Sequence, residues 1–342
     1  MIRAADLIAP PQVAIWDFVS GVGRTMVIAE VSRLGIPDLL AKGPMSIGEL
    51  AKATGTNEDA LWRTMRAAAS LRVFELRRDQ RFENNRTSEV LRRDVFASMR
   101  DLAIYFGSGS TMRSWADFGE TITTGKNAFE RVHGKNVWDY FAEHPDEEAG
   151  FAHAMTNLTE FDASAIAAGY PFGELERICD VAGGRGTLLA AILGANPNAR
   201  GVLVDAPFVL EQATEYLRER AVDGRVEKIA GSFFEKIPAG CDGYLLKDVL
   251  HDWDDARATA ILKTCRAAMK EGQRLLIIEM LVEHAQREPP GPLVDLQMMT
   301  VTCEGRQRSA DDFRALFEKS GFRFGRVVPL SMPTSIVEAF AA

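Results

Sequence analysis

Cysteine is scarce in this 342-residue chain: Cys179, Cys241, Cys265 and Cys303 are its four thiols, far apart and without a CxxC pair. That spacing speaks against a disulfide framework and a cysteine-ligated zinc site, so the thiols are expected reduced, in the core or beside a pocket. Histidine is nearly as rare, with five residues that lack metal-ligand spacing, and only His251 stands in a stretch that asks for explanation. No metal is expected. No apolar run reaches the roughly 18 residues needed to span a bilayer, and the start Met1-Ile2-Arg3-Ala4-Ala5-Asp6 lacks the apolar block of a secretion signal. A cytoplasmic protein without a membrane partner is expected. Positive charge is also short, with a formal net charge of −8. Nucleic acid is therefore not expected as a partner, because phosphate binding wants a basic face. What is plentiful is apolar content: 46% hydrophobic residues in a chain of this length can bury a large core and suggest two domains.

The organising stretch is Ile178-Cys179-Asp180-Val181-Ala182-Gly183-Gly184-Arg185-Gly186, followed by the helical pattern Thr187 to Leu193. It reads as strand, tight turn, helix. Glycines let backbone come within contact distance of a nucleotide, and the helix start offers free N–H groups. A plain turn has the same look. Asp180 precedes the glycines, and Asp205 ends the next apolar run, Gly201 to Val204, where an acid can accept both ribose hydroxyls. Paired glycines, one residue and a third glycine differ from the dinucleotide G-x-G-x-x-G pattern.

Toward the N-terminus, Val13, Trp16, Val19, Val27, Ile28 and Val31 recur at helical spacing from Pro11 to about Leu34, closed by Gly35 and Pro37. Ser46-Ile47-Gly48-Glu49 has the form of a capping box, Thr56-Asn57-Glu58-Asp59 opens a second helix, and Arg72–Leu76 with Arg81–Glu83 reads as a hairpin. Helix, helix, hairpin is a winged-helix pattern. A DNA reader can use that pattern, but acids interleave the arginines here, so a solvated mixed-charge surface is the better reading. Self-association is the expected role. Aromatic and methionine-rich helices fill Asp94 to Ala168, as core or as pocket lining. From Glu176 strands near 177–181, 201–205, 226–230, 243–248 and 274–280 alternate with helices near 187–194, 208–221 and 255–270. The loop His284 to Gly291, a helix from about Leu293, another opened by Ser309, and strands Phe324–Leu330 and Ser335–Phe340 complete the chain. The expected fold is α/β, a mostly parallel sheet with one antiparallel edge strand.

The second informative stretch is Lys247-Asp248-Val249-Leu250-His251-Asp252-Trp253. It follows a strand, which puts Lys247, His251 and Trp253 on the rim that carries the glycine turn. His251 there can meet a substrate or cap the next helix. A phenol with pKa near 10 is ionised in about one molecule per thousand at pH 7, or about 4 kcal/mol against phenolate. Imidazole can offset much of that as a base.

The chain resembles, over its whole length, the metal-independent caffeate-type O-methyltransferases, a class I S-adenosylmethionine-dependent family, in its bacterial secondary-metabolite branch. The motifs are Asp180 to Gly186, Val204-Asp205-Ala206-Pro207, Gly231-Ser232-Phe233-Phe234, Lys247 through Trp253, and Gly305-Arg306-Gln307-Arg308-Ser309. The resemblance implies a winged-helix dimerisation domain over 1–95 and a homodimer. It further implies a helical connector to the substrate pocket over 96–165 and a Rossmann-like domain with a seven-stranded sheet over 166–342. It also implies S-adenosylmethionine as cofactor, held by Asp180, Gly183, Gly184, Gly186, Asp205, Ala206, Gly231, Ser232, Phe233, Lys247 and Trp253. His251 matches the base, Glu279 a carboxylate that orients it, and Asp252 a helper. Phe151, Met155, Met298, Met299 and Thr302 match positions facing the aromatic acceptor. Three residues depart from the family pattern: Ala182 for a glycine, Ser232 for an acid beside adenine, and Gln307 for a glutamate flanking the histidine. The last makes His251 a weaker base. The expected reaction is O-methylation of a small aromatic or polyketide-like molecule. The alternatives are N-methylation of a heteroaromatic nitrogen, which needs no base, or a non-methylating hydroxylase, decarboxylase or cyclase of the same family.

Overall fold

The computed structural model describes residues 10–283, 286 and 290–342. The start Met1–Asp6 and, in the expected loop, His284, Ala285 and residues 287–289 lie outside them. The chain divides into two compact units, one formed by the residues up to Arg113 with Phe141–Leu158, the other by Ser114–Tyr140 with Thr159–Ala342.

In the first unit the expected single N-terminal helix is two, α1 (Pro11–Val19) and α2 (Gly21–Arg33). The break has a local cause: the Ser20 hydroxyl donates to the Asp17 carbonyl at 2.7 Å, and Gly21 follows. After Gly35, whose φ of 67° is left-handed, come α3 (Ile36–Leu40), α4 (Ile47–Thr54) and α5 (Glu58–Ser70). The box at α4 is closed, since the Ser46 N–H donates to Glu49 Oε2 at 2.7 Å and Glu49 N–H to Ser46 Oγ at 3.4 Å. Asn57 caps α5 through the Ala60 N–H at 2.9 Å. Strands β1 (Phe74–Leu76) and β2 (Phe82–Asn84) form the antiparallel hairpin, and Leu50, Leu61, Met65, Phe74 and Phe82 fill the core beneath it. The nearby arginines pair with acids, among them Arg77 with Glu83 and Arg81 with Glu49. Helices α6 (Arg86–Glu89) and α7 (Arg100–Phe106) follow.

Next in the chain are α8 (Gly109–Ala116), α9 (Phe118–Thr124), α10 (Ala128–His133), α11 (Val137–Glu143) and the long α12 (Pro145–Gly169). The second unit is built on β3 (Arg177–Val181), α13 (Thr187–Ala195), β4 (Arg200–Asp205), α14 (Pro207–Glu219), β5 (Val226–Ala230), β6 (Gly243–Lys247) and α15 (Asp255–Ala268). β7 (Arg274–Met280), α16 (Gly291–Val301), α17 (Ala310–Ser320), β8 (Phe322–Pro329) and β9 (Thr334–Ala341) complete it. Its seven strands lie in the order β5-β4-β3-β6-β7-β9-β8. β9 is the antiparallel strand, paired with both β7 and β8. It lies one place in from the edge because it is buried along most of its length, whereas the half-exposed β8 tolerates the border. One apolar layer covers each face: Ile261, Leu262, Phe313 and Phe317 on one side, Ile166, Leu189, Ile192 and Leu217 on the other. Strand order reverses between β3 and β6, and ligands bind outside the carboxyl ends at such a point. The glycine turn and Lys247 sit there.

Candidate active site

The glycine turn is built by conformation at some positions and by space at others. Gly184 and Gly186 have φ of 60° and 78°, and Ala182 adopts 56°. A left-handed alanine costs about 1–2 kcal/mol, which is the physical meaning of the departure at this position. Gly183 is different: a Cβ there would lie 2.5 Å from Leu203 Cδ1 and 2.6 Å from the Asp180 carboxyl group. Asp205 ties the neighbouring strand end to the turn, accepting from the Gly184 N–H at 2.8 Å and the Ala206 N–H at 2.7 Å. Its carbonyl accepts from the Gly231 N–H at 3.1 Å. Ser232 is occupied locally, its hydroxyl oxygen taking the Phe234 N–H at 3.2 Å. Phe233 stands edge-on to Trp253, with centroids 6.2 Å apart.

Beside this turn lies a group of buried charges. Burial first, and then the charge of Asp205, push the Asp180 carboxyl up to about 7, while Lys247 opposes them. Asp180 Oδ2 is buried without a hydrogen-bond partner. Lys247 keeps its proton above its ordinary pKa, although burial works against it, because Asp248 and Asp162 flank the ammonium. Asp162, on α12, lies 3.5 Å from Lys247 Nζ; burial pushes it up to about 6, with Lys247 opposing, and its Oδ1 has no hydrogen-bond partner. The sequence reading missed Asp162. Its only signal was one acid in the otherwise apolar run Phe161 to Ala168. Buried carboxylate oxygens without partners suit a ligand that brings positive charge, and the open space at Gly184, where a Cβ would meet nothing within 4 Å, suits one that lies against backbone. A sulfonium nucleotide with an α-ammonium group fits both.

His251 lies on a 3-10 turn, Leu250–Asp252, just past β6. Its Nδ1 is 2.9 Å from the Gln307 carboxamide nitrogen and its Nε2 is 3.7 Å from Asp252 Oδ1. Glu279, fully buried at the end of β7, accepts the His251 main-chain N–H at 3.1 Å. It orients the histidine through the backbone, so the side chain on the ring is Gln307. Burial works to lower the His251 pKa, but Asp252, Glu279 and Asp248 more than offset it and the net shift is upward. Burial raises Asp252 to about 7, with His251 opposing. Arg308, fully buried, was noticed only as part of a motif; it donates to the Leu250 carbonyl at 2.7 Å and the Trp253 carbonyl at 2.8 Å. Those carbonyls bracket His251.

Met298 and Met299 lie half-buried on α16. Thr302 ends that helix, its hydroxyl donating to the Met298 carbonyl at 2.8 Å. A Cβ on Gly305 would lie 2.3 Å from the Thr302 hydroxyl oxygen and 2.2 Å from the His251 carbonyl oxygen, which places Thr302 against the histidine turn. Phe151 and Met155 lie on α12 in the first unit, where Phe151 packs on Tyr105 and Phe141 with centroids 5.2 and 5.1 Å away. Among the described residues, no group of three or more His, Cys, Asp or Glu side chains is placed to hold a metal ion. No helix among them is long and apolar enough to cross a membrane.

Comparison with known proteins adds to this geometry. Residues 115–323 match an O-methyltransferase domain and residues 16–94 an O-methyltransferase dimerisation domain. The chain is 37% identical to the phenazine O-methyltransferase PhzM of Lysobacter antibioticus, covering 94% of each chain. It is 38% identical to the mitomycin biosynthesis 6-O-methyltransferase of Streptomyces lavendulae, covering 94% of this chain and 92% of that one. The crystal structure of NcsB1, an O-methyltransferase from neocarzinostatin biosynthesis in complex with S-adenosylmethionine and 2-hydroxy-5-methyl naphthoic acid, superposes with a TM-score of 0.80 at 30% identity, covering 93% of this chain and 96% of that one.

Proposed function

The chain belongs to the S-adenosylmethionine-dependent O-methyltransferase family, and from that premise we propose that it methylates a hydroxyl of a small aromatic or polyketide-like molecule with His251 as general base. The bound donor supplies an electrophilic methyl group and a positive charge that the transfer neutralises. The chain's own residues do the rest. Gly183, Gly184 and Gly186 leave room at the turn, and Asp180 and Lys247 present opposite charges to the donor's amino-acid end. Asp205 has lone pairs left beyond its two main-chain bonds, and they accept the ribose hydroxyls. Ala206, Gly231, Ser232, Phe233 and Trp253 flank the base. Met298, Met299 and Thr302 face the acceptor and keep water away.

The observation that carries the reading is a half-buried imidazole on the strand rim that also bears the glycine turn, with a ring partner at Nδ1 and a carboxylate 3.7 Å from Nε2. The acceptor's O–H bond breaks as His251 Nε2 takes the proton. Asp252 then stabilises the imidazolium. We further propose a homodimer through the segment 1–95, with 96–165 as connector and 166–342 as the donor-binding domain. The dimerisation-domain match and the exposed Trp16, Phe18 and Val19 support the dimer. Four free cysteines suit a cytoplasmic location.

Incubation with methyl-labelled donor and a panel of aromatic hydroxy compounds tests the reaction. The expected product carries the label on oxygen by NMR, with one S-adenosylhomocysteine released per product. Label on a ring nitrogen, or product without S-adenosylhomocysteine, contradicts it.

A further inference from the structure

Gly305–Arg308 holds the histidine turn from outside: Arg306 N–H donates to the His251 carbonyl at 2.8 Å, and Arg308 binds the carbonyls on either side. Gln307 is fixed within this segment. Its main-chain N–H donates to Asp295 Oδ1 on α16 at 2.7 Å, its side chain is buried, and the carboxamide nitrogen is 2.9 Å from His251 Nδ1. The carboxamide oxygen is buried without a hydrogen-bond partner.

An amide is two-faced, and turning it over exchanges donor for acceptor in the same footprint. With its nitrogen toward Nδ1 it donates, so the neutral ring carries its proton on Nε2 and has no lone pair there. With its oxygen toward Nδ1 it accepts from Nδ1–H and leaves Nε2 unprotonated. The other charged groups around the ring decide between them. Asp252 faces Nε2, Glu279 lies under the main-chain N–H, Asp248 and Lys247 come from the end of β6, Asp295 sits behind Gln307, and Arg308 neutralises part of Glu279. The acids outweigh Lys247 and favour imidazolium, which has N–H on both nitrogens and needs an acceptor at Nδ1. Turned over, the amide brings Gln307 Oε1 to the place its nitrogen holds 2.9 Å from Nδ1, and that bond survives proton uptake at Nε2.

We propose that Gln307 is the positioning residue that sets the His251 tautomer, turning its carbonyl oxygen to Nδ1–H so that Nε2 is free to take the acceptor's proton. The proposal rests on His251 being the base. A carboxylate at this position would hold the same tautomer but add a charge. The uncharged amide separates the two effects, holding the ring without raising its pKa further.

The test uses the full-length protein labelled with 15N-histidine, with the His251 signals identified by their loss in His251→Ala. The wild type is expected to show the Nδ1–H tautomer at high pH, with Nε2 titrating. Gln307→Glu is expected to keep that tautomer and move the acid limb of the kcat profile up by about 1–3 pH units. Gln307→Leu is expected to mix the tautomers and lower kcat about tenfold or more, with the KM for donor unchanged. A wild-type ring protonated at Nε2, or a Gln307→Leu protein with unchanged tautomer and pH profile, overturns the proposal. If His251→Ala turns over normally, the base reading itself fails, whatever the tautomer.

Discussion

Replacing Arg308 with methionine should loosen the histidine turn without opening a large hole. The guanidinium is fully buried, and its loss strips partners from the Leu250 and Trp253 carbonyls. The Leu250 carbonyl keeps the Trp253 N–H at 3.2 Å, so the Trp253 carbonyl is the group left bare, at a cost of about 1–3 kcal/mol. The ion pair with Asp255 adds less than about 1 kcal/mol, because that aspartate is 54% exposed. Methionine has similar length and refills most of the space. The turn that carries His251 then loses two of its anchors, so kcat should fall about tenfold or more through misplacement of the base. Urea unfolding gives the stability change, and single-turnover kinetics with saturating donor gives the rate. Arg308→Lys, which keeps the charge but cannot reach both carbonyls, should be nearly as impaired. A loss under about 0.5 kcal/mol with unchanged turnover would refute the reasoning.

Gly183→Ala forces a methyl group against Leu203 and Asp180; at about 1–3 kcal/mol of overpacking the donor affinity measured by calorimetry should drop by about tenfold or more, and an unchanged Kd would contradict the crowding. Burial raises the Asp180 carboxyl in the folded chain to about 7, well above the ordinary aspartate range. Its folded form therefore holds a proton that the unfolded chain has released, and the stability this gives, present below about pH 4, is lost as pH rises through about 7. Asp180→Asn should accordingly gain stability over the wild type at pH 7.5 and lose that advantage near pH 4, as followed by denaturant midpoints; an equal difference at both pH values would argue against the shift. Trp16→Glu, at a side chain 76% exposed, should shift the protein toward monomer in light scattering, whereas an unaltered dimer would move the interface elsewhere.

The sheet was legible because its parallel strands are continuous apolar runs between turn residues, and β3, β5 and β7 end where the sequence pattern ends. The turn residues Gly184 and Gly186 were legible for the same local reason. The break between α1 and α2 was not, since Ser20 interrupts the helix through one side-chain bond that periodicity does not register. The antiparallel strand was expected at the edge, whereas it is β9, one place in, because sequence order says nothing about insertion between β7 and β8. Long-range partners escaped most completely. Asp162 meets Lys247 from a helix far upstream, and Gln307, visible in sequence only as a missing carboxylate, is the side chain on the His251 ring. Glu279 was expected as the orienting acid from the family resemblance; its contact is with the backbone, which residue type alone does not reveal.

The His251→Ala protein, assayed for turnover at pH 7 and for donor affinity in the same preparation, tests the central claim most directly. The account predicts a kcat lower by about 100-fold to 10,000-fold with a donor Kd within about twofold of wild type, because the imidazole moves a proton and does not hold the nucleotide. Turnover within a few-fold of wild type would contradict it.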